Sequence, residues 1–183
     1  MKQYITRNGS FDSCHRVMNE TMKCFSIHGH TYLYELTFVF DDMQSIGYAI
    51  DFKEIKRVAC QWIDDMLDHG AILNPADGML ISVAKALKSK YWCMSLQGSE
   101  QYCNPTVENI AKEIFLAMSL LFVRYPTLDI YKVKLYETPN CSTECLGVSD
   151  VETREWMETR RDVVIAYAEA KGMLEYDDRK LKP

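Results

Sequence analysis

Three of the four histidines fall close together early in the chain: His15, then His28 and His30 on either side of Gly29. In an extended strand, residues two apart face the same side. His28 and His30 therefore present their imidazoles together, and Gly29 leaves room for close backbone approach. An adjacent strand carrying His15 supplies a third nitrogen. Three imidazoles satisfy a divalent ion and leave one coordination position open, the arrangement of a catalytic rather than a structural zinc site. The plainer alternative is a His-x-His pair that merely decorates a polar strand face. Cys24 precedes His28 by four residues, within reach of a group bound at such a metal. A nearby cation would depress its thiol below the free value of roughly 8.5 and make a thiolate available as base or nucleophile. The fourth histidine, His69, follows Asp68 where a helix is expected to end. An Asp68–His69–Cys24 relay would move a proton between imidazole and thiol while the carboxylate fixes the tautomer. On spacing alone, Asp68 and His69 read more readily as surface residues at a helix terminus.

The rest of the composition narrows the class. The chain has 183 residues, with 26 acidic and 21 basic side chains and a formal net charge of -5, so it lacks the basic field that holds a phosphodiester backbone. Nucleic acid is not an expected partner. No apolar run approaches the roughly 20 residues of a membrane span, and the opening residues Met1-Lys2-Gln3-Tyr4 lack a signal-peptide core, so a cytoplasmic protein is expected. Seven cysteines, an odd number without a CxxC pair, read as reduced thiols and not as a disulfide scaffold or a cysteine-rich zinc site.

The elements that must position these residues can be read from periodicity. Residues 3–7 and 32–40 are rich in aromatic and β-branched side chains and predict strands, and 47–50 predicts a short return strand. Asp51 is placed to cap a helix over 52–67 with Ile55, Val58, Ala59, Trp62, Ile63 and Met66 on one face, and Gly70 is available for a left-handed closing position. A helix near 78–88 and a short strand near 91–96 follow. Pro105 and Thr106 lead into a second amphipathic helix over 107–122. Residues 130–137 alternate as a half-buried strand, and 142–148 can pair back on it. Beyond Asp150 the chain predicts one added helix and a frayed end. Two units are expected: a domain over 1–149 and a helical extension over 150–183.

Six blocks of sequence carry a family resemblance. They are Phe11-Asp12-Ser13-Cys14-His15-Arg16-Val17, Cys24-x3-His28-Gly29-His30-x-Tyr32, Gly47-Tyr48-Ala49-Ile50-Asp51-Phe52, Leu67-Asp68-His69-x3-Leu73-Asn74, Asn104-Pro105-Thr106-x-Glu108-Asn109 and Tyr136-Glu137-Thr138-Pro139. In this order they resemble the 6-pyruvoyl- and 6-carboxy-tetrahydropterin synthase family. The resemblance implies an α+β tunnelling (T-) fold, an antiparallel four-stranded sheet with two helices on one face. It further implies trimers closing a twelve-stranded barrel, commonly stacked into homohexamers with sites at subunit interfaces.

Carried onto this chain, the resemblance makes His15, His28 and His30 the Zn²⁺ ligands and Cys24 the acid/base thiol. Asp68 and His69 complete the relay from a neighbouring subunit. Glu137 becomes the pterin anchor, a role that suits a carboxylate because it can accept two hydrogen bonds from a planar N–H pair. Thr106 is a weaker candidate for a substrate contact, and Glu108 can simply favour the helix N-terminus. Arg16 and Lys23 are either phosphate contacts or solvated cations.

The implied substrate is 7,8-dihydroneopterin triphosphate. One branch of the family eliminates triphosphate to give a 6-pyruvoyl product; the other also releases acetaldehyde and gives 6-carboxy-5,6,7,8-tetrahydropterin on the route to 7-deazaguanines such as queuosine. The three-residue gap between Cys24 and His28 resembles the carboxy-forming branch. Two other readings remain: a non-catalytic pterin- or purine-binding T-fold protein, and a zinc hydrolase on another fold with Glu137 as base.

Overall fold

The computed structural model describes residues 1–95 and 103–173. Its frame is a two-strand ladder. Strands β1 (Gln3–His15) and β2 (His28–Phe40) pair antiparallel along their whole lengths, from Gln3 opposite Phe40 to His15 opposite His28. The first strand is therefore much longer than residues 3–7. Its second half, Asn8 to Cys14, is too polar and glycine-bearing to show β-propensity, yet Phe11, Ser13 and His15 alternate inward and are buried.

Strand β2 is paired on both sides, with β1 and with β5 (Leu128–Thr138), and β5 pairs with β6 (Cys141–Cys145). That four-stranded antiparallel sheet matches the expectation, but two parallel strands extend it. These are β3 (Gly70–Leu73) beside the end of β1 and β4 (Tyr91–Cys93) beside β3, giving the order β4-β3-β1-β2-β5-β6. The sheet has six strands, not four. Of the expected strand over 91–96, Leu96 lies outside the described residues. The expected return strand at 47–50 is absent: Gly47 has φ +92° in a turn closed by Gly47 N–H to the Gln44 carbonyl, and β2 has no free edge to receive another strand.

The first helix, α1, begins as an α-helix over Phe52–Ile55, passes through a π turn over Lys56–Cys60 and resumes over Gln61–Met66, with the Asp51 side chain capping Lys53 N–H. Helix α2 spans Gly78–Ala86, α3 Val107–Leu121 and α4 Asp150–Ala170. Ile55, Val58, Ala59, Trp62 and Ile63 of α1 join Ile110, Ile114, Ala117 and Met118 of α3 against the inward side chains of β2 and β5 in one core. The residue with left-handed backbone after α1 is His69, φ +53°, and not Gly70, which already begins β3. The turn has to aim Gly70 into the sheet, so the strain falls one residue earlier.

Helix α4 starts on a capping box formed by Ser149 and Glu152 and lies across the other two long helices. Trp156 donates its indole N–H to Glu113 of α3 at 2.6 Å, and the Tyr167 hydroxyl meets Asp65 of α1 at 2.6 Å. Arg160 reaches the edge of the sheet and donates to the Cys93 carbonyl of β4 at 2.6 Å. The end beyond Met173 lies outside the described residues. Among the described residues, no helix is long and apolar enough to cross a membrane.

Candidate metal centre and active site

The far end of the β1–β2 ladder builds the centre. Because His15 stands opposite His28 and Ser13 opposite His30, the three histidines project from one face, the helix-facing one that also carries Phe11 and Tyr32. One nitrogen from each imidazole lies within 4.8 Å of the other two. His15 is 1% exposed, so burial pushes its pKa below the ordinary imidazole range. The Pro105 carbonyl opposes that shift and the neighbouring His28 reinforces it.

Hydrogen bonds at the outer nitrogens define what this cluster can hold. The neutral His15 ring donates from Nδ1 to the Pro105 carbonyl at 2.7 Å, and His28 from Nδ1 to the Ser26 carbonyl at 2.7 Å. In those tautomers both Nε2 atoms carry lone pairs, and they face each other at 3.1 Å with no proton between them. His30 Nε2 is buried without a hydrogen-bond partner among the described residues. A cation resolves all three at once. Nitrogens bound to Zn²⁺ at about 2.0–2.1 Å in tetrahedral geometry stand roughly 3.3 Å apart, close to the separation found. The residues fit a zinc ion, and their outer bonds to carbonyls are the support that orients metal-binding histidines.

Glu137 leans over this cluster. Its Oε1 lies 3.6 Å from His15 Nε2 and 3.9 Å from His30 Nε2. It sits at a register shift in the β5–β6 pairing, between Tyr136 opposite Ser142 and Thr138 opposite Cys141, the kind of bulge that aims one side chain into a site. Cys24 occupies a short 3₁₀ turn, Lys23–Phe25, tied to the end of β1 by Val17 N–H donating to the Cys24 carbonyl at 2.8 Å. It is half-buried, and its sulfur is not part of the tight nitrogen cluster. Among the described residues, the groups drawn together tightly enough for a metal contain no cysteine.

Asp68 and His69 form their expected pair on the other side of the sheet. His69 donates from Nδ1 to Asp68 Oδ2 at 2.5 Å, Asp12 N–H donates to Asp68 Oδ1 at 2.7 Å, and His69 N–H donates to the Asp12 carbonyl at 2.7 Å. Burial acts to raise the Asp68 carboxyl, but the hydrogen bonds from Asp12 and His69 outweigh it and hold the group below the ordinary range. The bond and charge of Asp68 in turn raise His69. His69 faces an open depression of about 390 Å³ whose lining includes Asp12, Cys14, Gly29 and Thr31. Asp12 and Cys14 alternate with Ser13 and His15 along β1, so the sheet stands between this dyad and the histidine cluster. Within one chain the dyad and the converging imidazole nitrogens thus lie on opposite faces of β1, although His30 also borders the depression that His69 lines.

Thr106 is the N-cap of α3, its hydroxyl accepting from Asn109 N–H at 3.4 Å, and Glu108 lies in the first turn. Arg16 makes a two-bond ion pair with the buried Asp77, at 2.6 and 2.8 Å, and is thereby committed inside the fold. Sequence reasoning missed Pro105 as a carbonyl acceptor for His15, and with it Asn104, which accepts from Met18 N–H and from the Asn74 side chain at 2.8 Å each and so holds that turn in place. The Asn-Pro-Thr block was visible, but not that a backbone oxygen within it supports a ligand.

The fold and the site define a class: an α+β protein whose mixed sheet carries, at the end of its first hairpin, three histidines placed so that they could hold a metal ion. Comparison with known proteins makes this particular. A family model described as 6-pyruvoyl tetrahydropterin synthase matches residues 4–147, and the chain belongs to that family. The chain is 38% identical over 146 residues to a 6-carboxy-5,6,7,8-tetrahydropterin synthase of Rickettsia felis, with 76% of this chain and 96% of the relative covered. It is 28% identical over 80 residues to a 6-pyruvoyl tetrahydrobiopterin synthase of Dictyostelium discoideum, covering 38% of this chain and 59% of the relative. The structure of Caenorhabditis elegans 6-pyruvoyl tetrahydropterin synthase superposes with a TM-score of 0.57 at 20% identity, covering 81% of this chain and 97% of the other, and shows the shared T-fold.

Proposed function

We propose that this lyase is a zinc-dependent 6-carboxy-5,6,7,8-tetrahydropterin synthase, converting 7,8-dihydroneopterin triphosphate to 6-carboxy-5,6,7,8-tetrahydropterin, acetaldehyde and triphosphate in 7-deazaguanine synthesis. The observation that carries the reading is the convergence of three imidazole nitrogens, with the outer nitrogens of His15 and His28 committed to carbonyls, in a chain strongly similar to carboxy-forming relatives. His15, His28 and His30 would hold a Zn²⁺ ion, which would supply Lewis acidity toward the substrate's side-chain hydroxyls near neutral pH. Glu137 accepts the pterin N–H donors and fixes the ring against the cluster. Cys24 exchanges a proton with the substrate side chain, and His69, held in one tautomer by Asp68, takes or returns that proton.

The placement of the dyad behind the sheet supports assembly across copies. Among the described residues, only Ser13 to His15 are paired along the edge of β1 that faces β3, which leaves the earlier stretch open, and β6 pairs only with β5. These open edges suit closure of three chains into a barrel, stacked as a hexamer, with Asp68 and His69 of one chain serving the metal centre of the next. We place the enzyme in the cytoplasm, with the 150–183 extension as an accessory to the 1–149 domain.

The test is incubation of the zinc-loaded protein with 7,8-dihydroneopterin triphosphate and identification of products by mass. Acetaldehyde with a 6-carboxy pterin is expected. Triphosphate release with a 6-pyruvoyl product would move the protein to the other branch. Neither product, with pterin still bound, would reduce it to a binding protein.

A further inference from the structure

Among the described residues, two buried polar atoms without hydrogen-bond partners belong to neighbouring side chains on the inner face of β2. One is His30 Nε2, which the metal reading absorbs; the other is the hydroxyl of Tyr32, two residues on, in a side chain that is 0% exposed. The ring is fixed. It stacks on Phe11 of β1 at 4.9 Å between centroids and lies edge-on to His15 at 6.0 Å and to His30 at 5.6 Å. A phenylalanine would fill the same space without burying a hydroxyl that has nothing to bond.

The register shows what the hydroxyl neighbours. The β2–β5 pairing ends at Leu33 opposite Tyr136, so the next residue on each strand brings Tyr32 beside Glu137. The carboxylate is the nearest available acceptor by position, yet its Oε1 is turned to His15 and His30 and does not take the Tyr32 proton. Near neutral pH a phenol is a neutral O–H and can donate. A neutral donor is thus held ready between the imidazole cluster and the carboxylate.

We propose that the Tyr32 hydroxyl is a substrate-contacting group, donating a hydrogen bond to an oxygen of the ligand that enters between the histidine cluster and Glu137. This rests on the pterin reading, in which the substrate side chain brings hydroxyl and carbonyl oxygens to that place. The donor positions the side chain for proton transfer and complements the oxygen as its charge changes during reaction.

The experiment compares wild type with Tyr32→Phe on three readouts: thermal melting of the metal-free protein, zinc content after loading, and kcat and KM with 7,8-dihydroneopterin triphosphate. The expected result is a melting temperature equal to or above wild type, full zinc content, and kcat/KM lower by roughly tenfold, the worth of one lost hydrogen bond. A melting temperature several degrees lower would show that the hydroxyl has a partner inside the fold and would overturn the proposal. So would kcat/KM within about twofold of wild type. If wild type itself fails to turn the substrate over, the pterin reading falls, and the melting of the metal-free variant alone decides whether Tyr32 holds a spare donor.

Discussion

Replacing Trp156 with Phe tests whether the C-terminal helix is bound to the domain through one buried carboxylate. Glu113 is 2% exposed and accepts three hydrogen bonds: Ser95 N–H at 2.6 Å, the Ser95 hydroxyl at 2.8 Å and the Trp156 indole at 2.6 Å. Trp156→Phe removes the third donor and part of a side chain that is itself 0% exposed. A hydrogen bond to a charged group is worth about 1.5–3 kcal/mol. The smaller ring adds a cavity cost of about 1 kcal/mol. In a chain of this size each kcal/mol moves the melting temperature by about 2–4 °C, so a fall of about 10 °C is expected. The pH dependence carries the sharper signature. Burial holds the Glu113 carboxyl above its ordinary value of 4.5, against the pull of its donors. A carboxyl raised on folding contributes most below its unfolded value, and that contribution declines as pH climbs through the folded value. The indole N–H favours the anion, so its loss raises the folded value further. The gap between wild type and variant therefore widens toward neutral pH and narrows in acid toward the cavity cost alone. Thermal melts by circular dichroism across that range measure it; a fall below about 2 °C, or an equal fall at every pH, would refute the reasoning.

Three further outcomes follow from the same coordinates. Gly9→Ala drives a methyl into the Tyr34 hydroxyl and ring, and because Tyr34 is buried the strand or the ring must shift, costing about 1–3 kcal/mol in a denaturant or thermal melt. His28→Ala removes one of three converging nitrogens, and zinc affinity measured by chelator competition falls by more than about tenfold, the low end of what loss of a supporting residue alone costs. Asp68→Asn removes the bond and charge that raise His69, so its imidazolium titrates at lower pH. An NMR titration of His69, together with the limb of the pH–rate profile that needs the imidazolium, is expected to shift downward.

The parts of this site that were legible in the sequence are those set by local periodicity. A His-x-His step fixes two imidazoles on one strand face, and the i, i+3, i+4 pattern from Ile55 to Ile63 fixes the buried face of α1. Features that depend on partners distant in sequence were not legible. Gly70–Leu73 is four residues long and gains strand geometry only beside residues 13–15 of β1. Conversely, residues 47–50 have strand-like composition but meet a sheet with no vacancy next to β2. Glu113 reads as an ordinary polar position on a helix until Ser95 and Trp156, both remote in sequence, are folded onto it. The opposite faces of the histidine cluster and the Asp68–His69 dyad follow from strand alternation, but only once β1 is known to run unbroken to His15.

The ladder that carries His15 and His28 at its end is held by pairing along its whole length and by a core that needs no ion. Its three histidines are set by strand register, unlike the ligands of small domains that fold only around their zinc. Under the proposed function, loss of zinc would idle the enzyme without unfolding it, because register and core hold the site's frame in place.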